Sequence, residues 1–195
     1  MKIILIGNKA RMGKDTFANM LKEELNERAV IIHFADALKF VCKSYYGWNG
    51  EKNTFGRTLL QYVGQSTRDN DEHFWTDFIA RLIKANLSKN YEYIIIPDWR
   101  YKEEYERLLR YFHYEDIITV NITRFNSDFS PYIPNELTFE QRQHKSEIDL
   151  DTYVCQYYIS NFTLEKLRES AQTFVKEANL WYNKRKNRRI KYGME

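Results

Sequence analysis

Short apolar runs alternate along the chain with longer stretches of helical period. Lys2 to Ile6 reads as a buried strand. Lys14 to Glu27 follows, with Phe17, Leu21 and Leu25 recurring every four residues on one face, and predicts an amphipathic helix. Val30 to Phe34 is a second strand, and a helix runs from there to about Tyr46 with Asp36 as its cap. Gly47 to Phe55 holds two glycines and two asparagines and reads as a loop. Gly56 to Thr67 and Glu72 to Leu87 are two further helices, the latter striped by Trp75, Phe78, Ile79, Leu82 and Ile83. Tyr93 to Ile96 is the third strand, closed by Pro97, a residue tolerated at a strand's end. Lys102 to Phe112 is helical, Ile117 to Ile122 is the fourth strand, Gln156 to Ile159 the last, and Leu164 to about Lys186 a long final helix.

That alternation predicts an α/β fold of three layers, a mostly parallel sheet flanked by helices. Residues 125–147 break the pattern with Pro131, Pro134, Asn126 and Asn135. An excursion of this length reads as a functional loop or lid. The whole chain, 195 residues, suits one domain with a helical insert at about 40–90, the lid at 125–147 and a tail at 184–195.

Composition narrows the class. Hydrophobic residues make up 43% of the chain and aromatics 16%, enough for a packed core. No apolar run approaches the ~20 residues that span a bilayer, and nothing resembles a signal-peptide core, so the expected location is the cytoplasm, that of a host if the source is viral. Cys42 and Cys155 stand far apart, which argues against a disulfide framework, and the four histidines show no metal-ligand spacing. The net charge is +3, yet residues 184–195 alone carry six basic groups and one acid, so the rest of the chain carries −2. The body is thus not a basic nucleic-acid platform; only the tail can act as one.

The sharpest signal lies near the N-terminus, where the strand runs into Gly7-Asn8-Lys9-Ala10-Arg11-Met12-Gly13-Lys14-Asp15-Thr16. A hydrophobic strand, a tight polar loop and Gly-Lys opening an amphipathic helix form the context of a phosphate-binding loop. Backbone N–H groups from Asn8 to Thr16 would wrap the phosphates, with the helix dipole behind them. Lys14 would reach the outer oxygens, and Gly13 removes a side chain from their path. Asn8 stands where the first glycine of such loops falls, and asparagine tolerates left-handed backbone. Asp15 stands in the usual hydroxyl position with Thr16 next, oxygen donors suited to Mg²⁺.

With Asp in that slot, Lys-Ala-Arg-Met-Gly-Lys-Asp-Thr resembles the deoxynucleoside monophosphate kinases of tailed phages. Five more segments match that family in order: His33 to Lys39 (HFADALK), Gly56 to Gly64 (GRTLLQYVG), Pro97 to Glu104 (PDWRYKEE), His144 to Asp151 (HKSEIDLD) and Ile159 to Asn161 (ISN). Together they span residue 3 to about 165. The resemblance implies a P-loop kinase fold, ATP and Mg²⁺ as cofactors, and small-molecule nucleotides as substrates, while a homodimer stays open.

On this reading Lys14, Arg11, Asp36, Arg100 and Arg142 carry the transfer. Asp98, at the carboxyl edge of the third strand, either holds Mg²⁺ with Asp15 and Thr16 or caps a helix. Arg100 either clamps the acceptor phosphate or pairs with Glu103 or Glu104. Asp36 and Lys39 lie at the same edge of the sheet, toward the acceptor. In the helical insert Gln61 can read a base edge, Arg68 can bind the acceptor phosphate, and Trp75 can stack on a base or pack in the core. Arg124, Arg142 and His144 belong to the lid, whose closure would exclude water. Asn161, by resemblance, contacts adenine. Rival readings are a P-loop kinase of the phosphomevalonate or dephospho-coenzyme A type and a non-catalytic nucleotide-binding protein. A GTPase is disfavoured because no Asn-Lys-x-Asp motif follows the third strand.

Overall fold

A computed structural model describes residues 1–180 apart from 52 and 136. The basic tail lies outside the described residues, and the final helix, expected to run to about Lys186, ends at Glu177 with Ala178 as its C-cap. Five parallel strands form one sheet in the order β2-β3-β1-β4-β5, where β1 is Lys2–Gly7, β2 Ala29–Ile31, β3 Tyr93–Trp99, β4 Ile117–Arg124 and β5 Tyr157–Asn161. The helices are α1 (Lys14–Leu25), α2 (Ala35–Tyr45), α3 (Thr54–Asn70), α4 (Phe74–Leu82), α5 (Ser88–Asn90), α6 (Lys102–Leu108), α7 (Phe139–Gln143), α8 (Lys145–Ile148) and α9 (Leu164–Glu177).

β1 occupies the centre because its residues can be covered on both faces: Ile3, Ile4, Leu5 and Ile6 are all fully buried. Side chains alternate across the pleat. Ile4 and Ile6 therefore join Phe17, Leu21, Phe174 and Val175 beneath α1 and α9. Ile3 and Leu5 point the other way, into a core with Ile79 of α4, Ile83 just past it, Trp99 of β3 and Leu108 of α6. A third cluster, Leu38, Cys42, Trp48, Val63 and Trp75, holds the insert of α2, α3 and α4 together. Cys42 and Cys155 are buried in separate cores with free thiols. The insert is tied to the body by Arg107, whose Nε and Nη2 fork onto both oxygens of Asp77 at 2.6 Å each.

β3 runs past Pro97 to Trp99 instead of stopping at the proline. Leu5 pairs with Ile96 and Gly7 with Trp99, so β3 gains one residue over β1 in that interval. Such a bulge absorbs the missing N–H of proline and re-aims Asp98 and Arg100 just beyond it. The Glu72–Leu87 helix is cut shorter, with α4 giving way at Ile83 to a wider π-type turn. The 125–147 segment is not without structure: Phe125 bridges Pro131, and α7 starts on a capping box between Thr138 and Gln141.

Candidate phosphate-binding and acceptor site

The loop between β1 and α1 takes three positive φ values, 118° at Asn8, 63° at Arg11 and 94° at Gly13. Asn8 accepts its conformation because its amide is anchored: Nδ2 donates to Asn121 Oδ1 and the Ile122 carbonyl at 2.8 Å each. Gly13 is required twice over, by its φ and because a Cβ there would stand 2.4 Å from Asn161 Nδ2. Asn161 donates that amide to the Met12 carbonyl at 3.0 Å. It therefore braces the loop from beneath. Arg124 meets the same support, its backbone N–H donating to Met12 Sδ at 3.4 Å while its guanidinium stacks 4.3 Å from the Tyr132 ring centroid.

Lys14 lies inside the loop, 6% exposed, with Nζ donating to the carbonyls of Asn8 at 2.7 Å and Lys9 at 2.5 Å. Burial, reinforced by the nearby Arg100 guanidinium, lowers its pKa to about 7. Arg11 sits exposed at the loop's crest. Lys9 Nζ pairs with Asp151 at 2.9 Å, and the Ala10 N–H donates to Glu147 Oε2 at 2.6 Å.

At the start of α1, Asp15 Oδ1 lies 3.1 Å from His33 Nε2, and His33 Nδ1 lies 3.3 Å from Asp36 Oδ2. Hydrogen bonds to the two carboxylates raise the His33 pKa to about 9, so it bridges them as an imidazolium. Burial opposes ionisation of Asp36, yet hydrogen bonds from His33 and Lys39 outweigh it and hold its carboxyl well below the usual range. Asp36 does not cap α2 from the expected position, because the helix already begins at Ala35. It reaches back to the His33 N–H at 2.8 Å. The cap comes from Asp98, whose oxygens accept from the N–H groups of Phe34 at 2.9 Å and Ala35 at 3.0 Å. Burial nevertheless pushes the Asp98 pKa up.

Arg100 is aimed back at the loop. Its Nη1 donates to Glu147 Oε1 at 2.9 Å, to the Asn8 carbonyl at 3.1 Å and to the Ser146 carbonyl at 3.3 Å. Of the two glutamates expected as its partners, Glu104 instead accepts from the backbone N–H groups of Arg100 and Tyr101 at 2.9 and 3.1 Å. Burial lifts the Glu104 carboxyl to about 8.

Beside Arg100 opens a cavity of about 680 Å³. Gln61, Arg68, Trp75, Asp98, Arg100 and His144 all line it, with Leu38, Tyr62 and Tyr101 among the other walls. That volume suits a ligand of nucleotide size. Arg68 lies 4.9 Å over the Tyr101 ring and its Nη1 approaches the Gly64 carbonyl at 3.4 Å. Trp75 belongs to the insert's core and presents an edge to the cavity. His144 caps α8, its Nδ1 accepting from the Ser146 N–H at 3.2 Å. Asp36, Lys39 and Arg142 stand outside the lining of this cavity. Arg142 lies on α7, half-buried.

His33 and Glu147 emerge from the structure beside the loop without having been singled out in the sequence, and Glu104, expected only as an ion-pair partner of Arg100, emerges as a buried backbone acceptor. Glu104 and Glu147 stood in recognised segments, but their partners lie on other elements. Away from the loop, Glu72, His73 and Glu103 bring potential ligand atoms within 4.8 Å of one another. Burial and the adjoining Glu72 raise Glu103 to about 7, and Lys145 and Arg68 flank the pair.

No protein-family model and no curated protein matches the chain. Among solved structures it is similar to a sugar kinase of a Janibacter species, with 13% identity, a TM-score of 0.50, and coverage of 90% of this chain and 95% of that one. It is likewise similar to the tunicamycin resistance protein of Deinococcus radiodurans, with 13% identity, a TM-score of 0.50, and coverage of 89% and 95%. These likenesses, with the sheet order, show the expected three-layer α/β fold, a parallel sheet flanked by helices in the P-loop NTPase-like arrangement. No helix among the described residues is long and apolar enough to cross a membrane.

Proposed function

We propose that the protein transfers the γ-phosphoryl group of ATP to a deoxynucleoside monophosphate, giving ADP and the diphosphate. The observation that carries this reading is the position of Arg100, which bridges the Asn8 carbonyl of the loop and the wall of the 680 Å³ cavity. A phosphate held there by a guanidinium fork would lie beside the phosphates held by Lys14 and the loop amides. Arg68 gives the same cavity a second cation, and Gln61 an amide able to donate to and accept from a base edge. The neighbours of similar fold are named as a sugar kinase and a tunicamycin resistance protein. A cavity with two arginines favours an anionic acceptor over an uncharged one.

In this mechanism the chain's own groups position and neutralise. Lys14 meets the developing charge on the transferred group, Arg100 and Arg68 hold the attacking phosphate, and Arg11 covers the outer oxygens from the crest. Asp36 with His33 fixes the start of α2 beside the acceptor. No strong base is needed, since a nucleotide phosphate is ionised near neutral pH. Arg124, Arg142 and His144 form the lid side and exclude water on closure. Asp15 and Thr16 would hold Mg²⁺, which would supply positive charge to offset that of the donor phosphates. Asp98 directs both its oxygens to α2 and supports that site from behind.

An ADP-release screen over deoxynucleotides, ribonucleotides and non-nucleotide acceptors tests the proposal. Stimulation by deoxynucleoside monophosphates is expected. A screen in which only non-nucleotide acceptors release ADP replaces the acceptor and keeps the kinase.

A further inference from the structure

Glu147 holds a position that a nucleotide phosphate would contest. Its Oε2 accepts from the Ala10 N–H inside the phosphate loop at 2.6 Å, and its Oε1 takes the Arg100 guanidinium at 2.9 Å. The side chain is 11% exposed. It reaches the loop from α8, and the chain around it is tied down on every side. Lys9 pairs with Asp151 at 2.9 Å, the Lys102 N–H donates to Asp149 at 2.8 Å, and Leu150 packs against Gly7. One carboxylate thus satisfies a loop amide and the cation that faces the acceptor cavity.

We infer that Glu147 stands in for the outer phosphate of ATP and couples the two substrate sites through Arg100. The inference rests on the kinase reading above. An arriving terminal phosphate needs the Ala10 amide and the field of Lys14, and Glu147 opposes it with like charge at short range. An acceptor phosphate changes that balance. It offers Arg100 a paired set of charge-assisted hydrogen bonds, takes the guanidinium from Glu147, and leaves the carboxylate with a single amide partner. Glu147 then swings out, and the loop opens to the full triphosphate. Acceptor binding therefore tightens ATP binding, and by linkage ATP tightens acceptor binding to the same degree. Glu147 acts through Arg100 and the loop, and is a positioning residue.

The test is calorimetric titration of a non-hydrolysable ATP analogue in Mg²⁺ buffer, alone and with a saturating equimolar mixture of dAMP, dCMP, dGMP and dTMP. In the unaltered protein the mixture is expected to tighten analogue binding about 10-fold, within the usual range of site coupling. Glu147→Gln keeps the shape and loses the charge. It is expected to bind the analogue about 10-fold more tightly without acceptor and to lose most of the response to the mixture. Glu147→Asp, with its shorter reach, serves if the glutamine variant does not fold, and should shift both readings in the same direction. A merely structural glutamate would weaken analogue binding in both variants. Binding that is unchanged in the variants, or weakened, or a coupling as large as in the unaltered protein, overturns the inference and leaves the kinase standing. An unaltered protein that binds no analogue overturns the nucleotide reading beneath it.

Discussion

The buried carboxylate of Asp98 accepts a hydrogen bond from the Ala35 N–H, 3.0 Å away, and so ties the end of the third strand to the first turn of α2. A second oxygen takes the Phe34 N–H at 2.9 Å. Asp98→Ala strands both amides away from water. The expected loss is about 2–3 kcal/mol of unfolding free energy, read as a lower urea midpoint at unchanged slope. Asp98→Asn, which keeps one acceptor oxygen, should lose about half of that.

His33 gives stability a defined pH dependence. Its pKa rises from 6.5 unfolded to about 9 folded, because Asp15 and Asp36 hold the charged ring. A raised pKa stabilises fully below pH 6.5 and loses its effect as the pH climbs through 9. Lys14 slopes the opposite way between about 7 and 10.5, since its folded pKa is the lower one. The comparison that isolates His33 is therefore with His33→Gln. The unaltered protein should exceed the variant in urea midpoint at pH 6, and the gap should close by pH 10.

Lys14 also makes ATP binding proton-linked. With a pKa of about 7, it is largely neutral at pH 8, and bound phosphates would restore its proton. Calorimetry at pH 8 in buffers of different ionisation enthalpy should register net proton uptake on ATP binding. Lys14→Ala should abolish that uptake and lower turnover by about 100- to 1000-fold while far-ultraviolet circular dichroism stays unchanged. Near-full activity in that variant would remove the phosphate-loop assignment.

Arg100→Lys keeps a positive charge and forfeits the fork. An acceptor KM about 10-fold or more higher is expected, with the KM for ATP changing less. A rise confined to the KM for ATP would place Arg100 on the donor side alone.

The sheet was legible because its strands are runs such as Ile3 to Ile6 and Tyr93 to Ile96, whose apolar content leaves few alternatives. The loop was legible because its chemistry is local, seven consecutive residues from Asn8 to Lys14. What escaped was long-range. Asp98 caps a helix that begins at Ala35, and Glu147 bonds the amide of Ala10. A capping carboxylate reads as belonging to the helix next to it in sequence, and only the β3 bulge sends Asp98 elsewhere. Asn161 was in view, but its brace on the Met12 carbonyl was not, since the two residues lie far apart in sequence.

The central place of β1 bears on how the protein is made. Ile3 pairs with Ile94 on one flank and Ile117 on the other, and Lys9 waits for Asp151. β1 leaves the ribosome well before either neighbour, and is thus among the last strands to be completed. Until β3 emerges, a stretch of four isoleucine and leucine residues has no neighbour on either edge, a period in which chaperone shielding and the speed of synthesis of the later segments govern the yield of native protein.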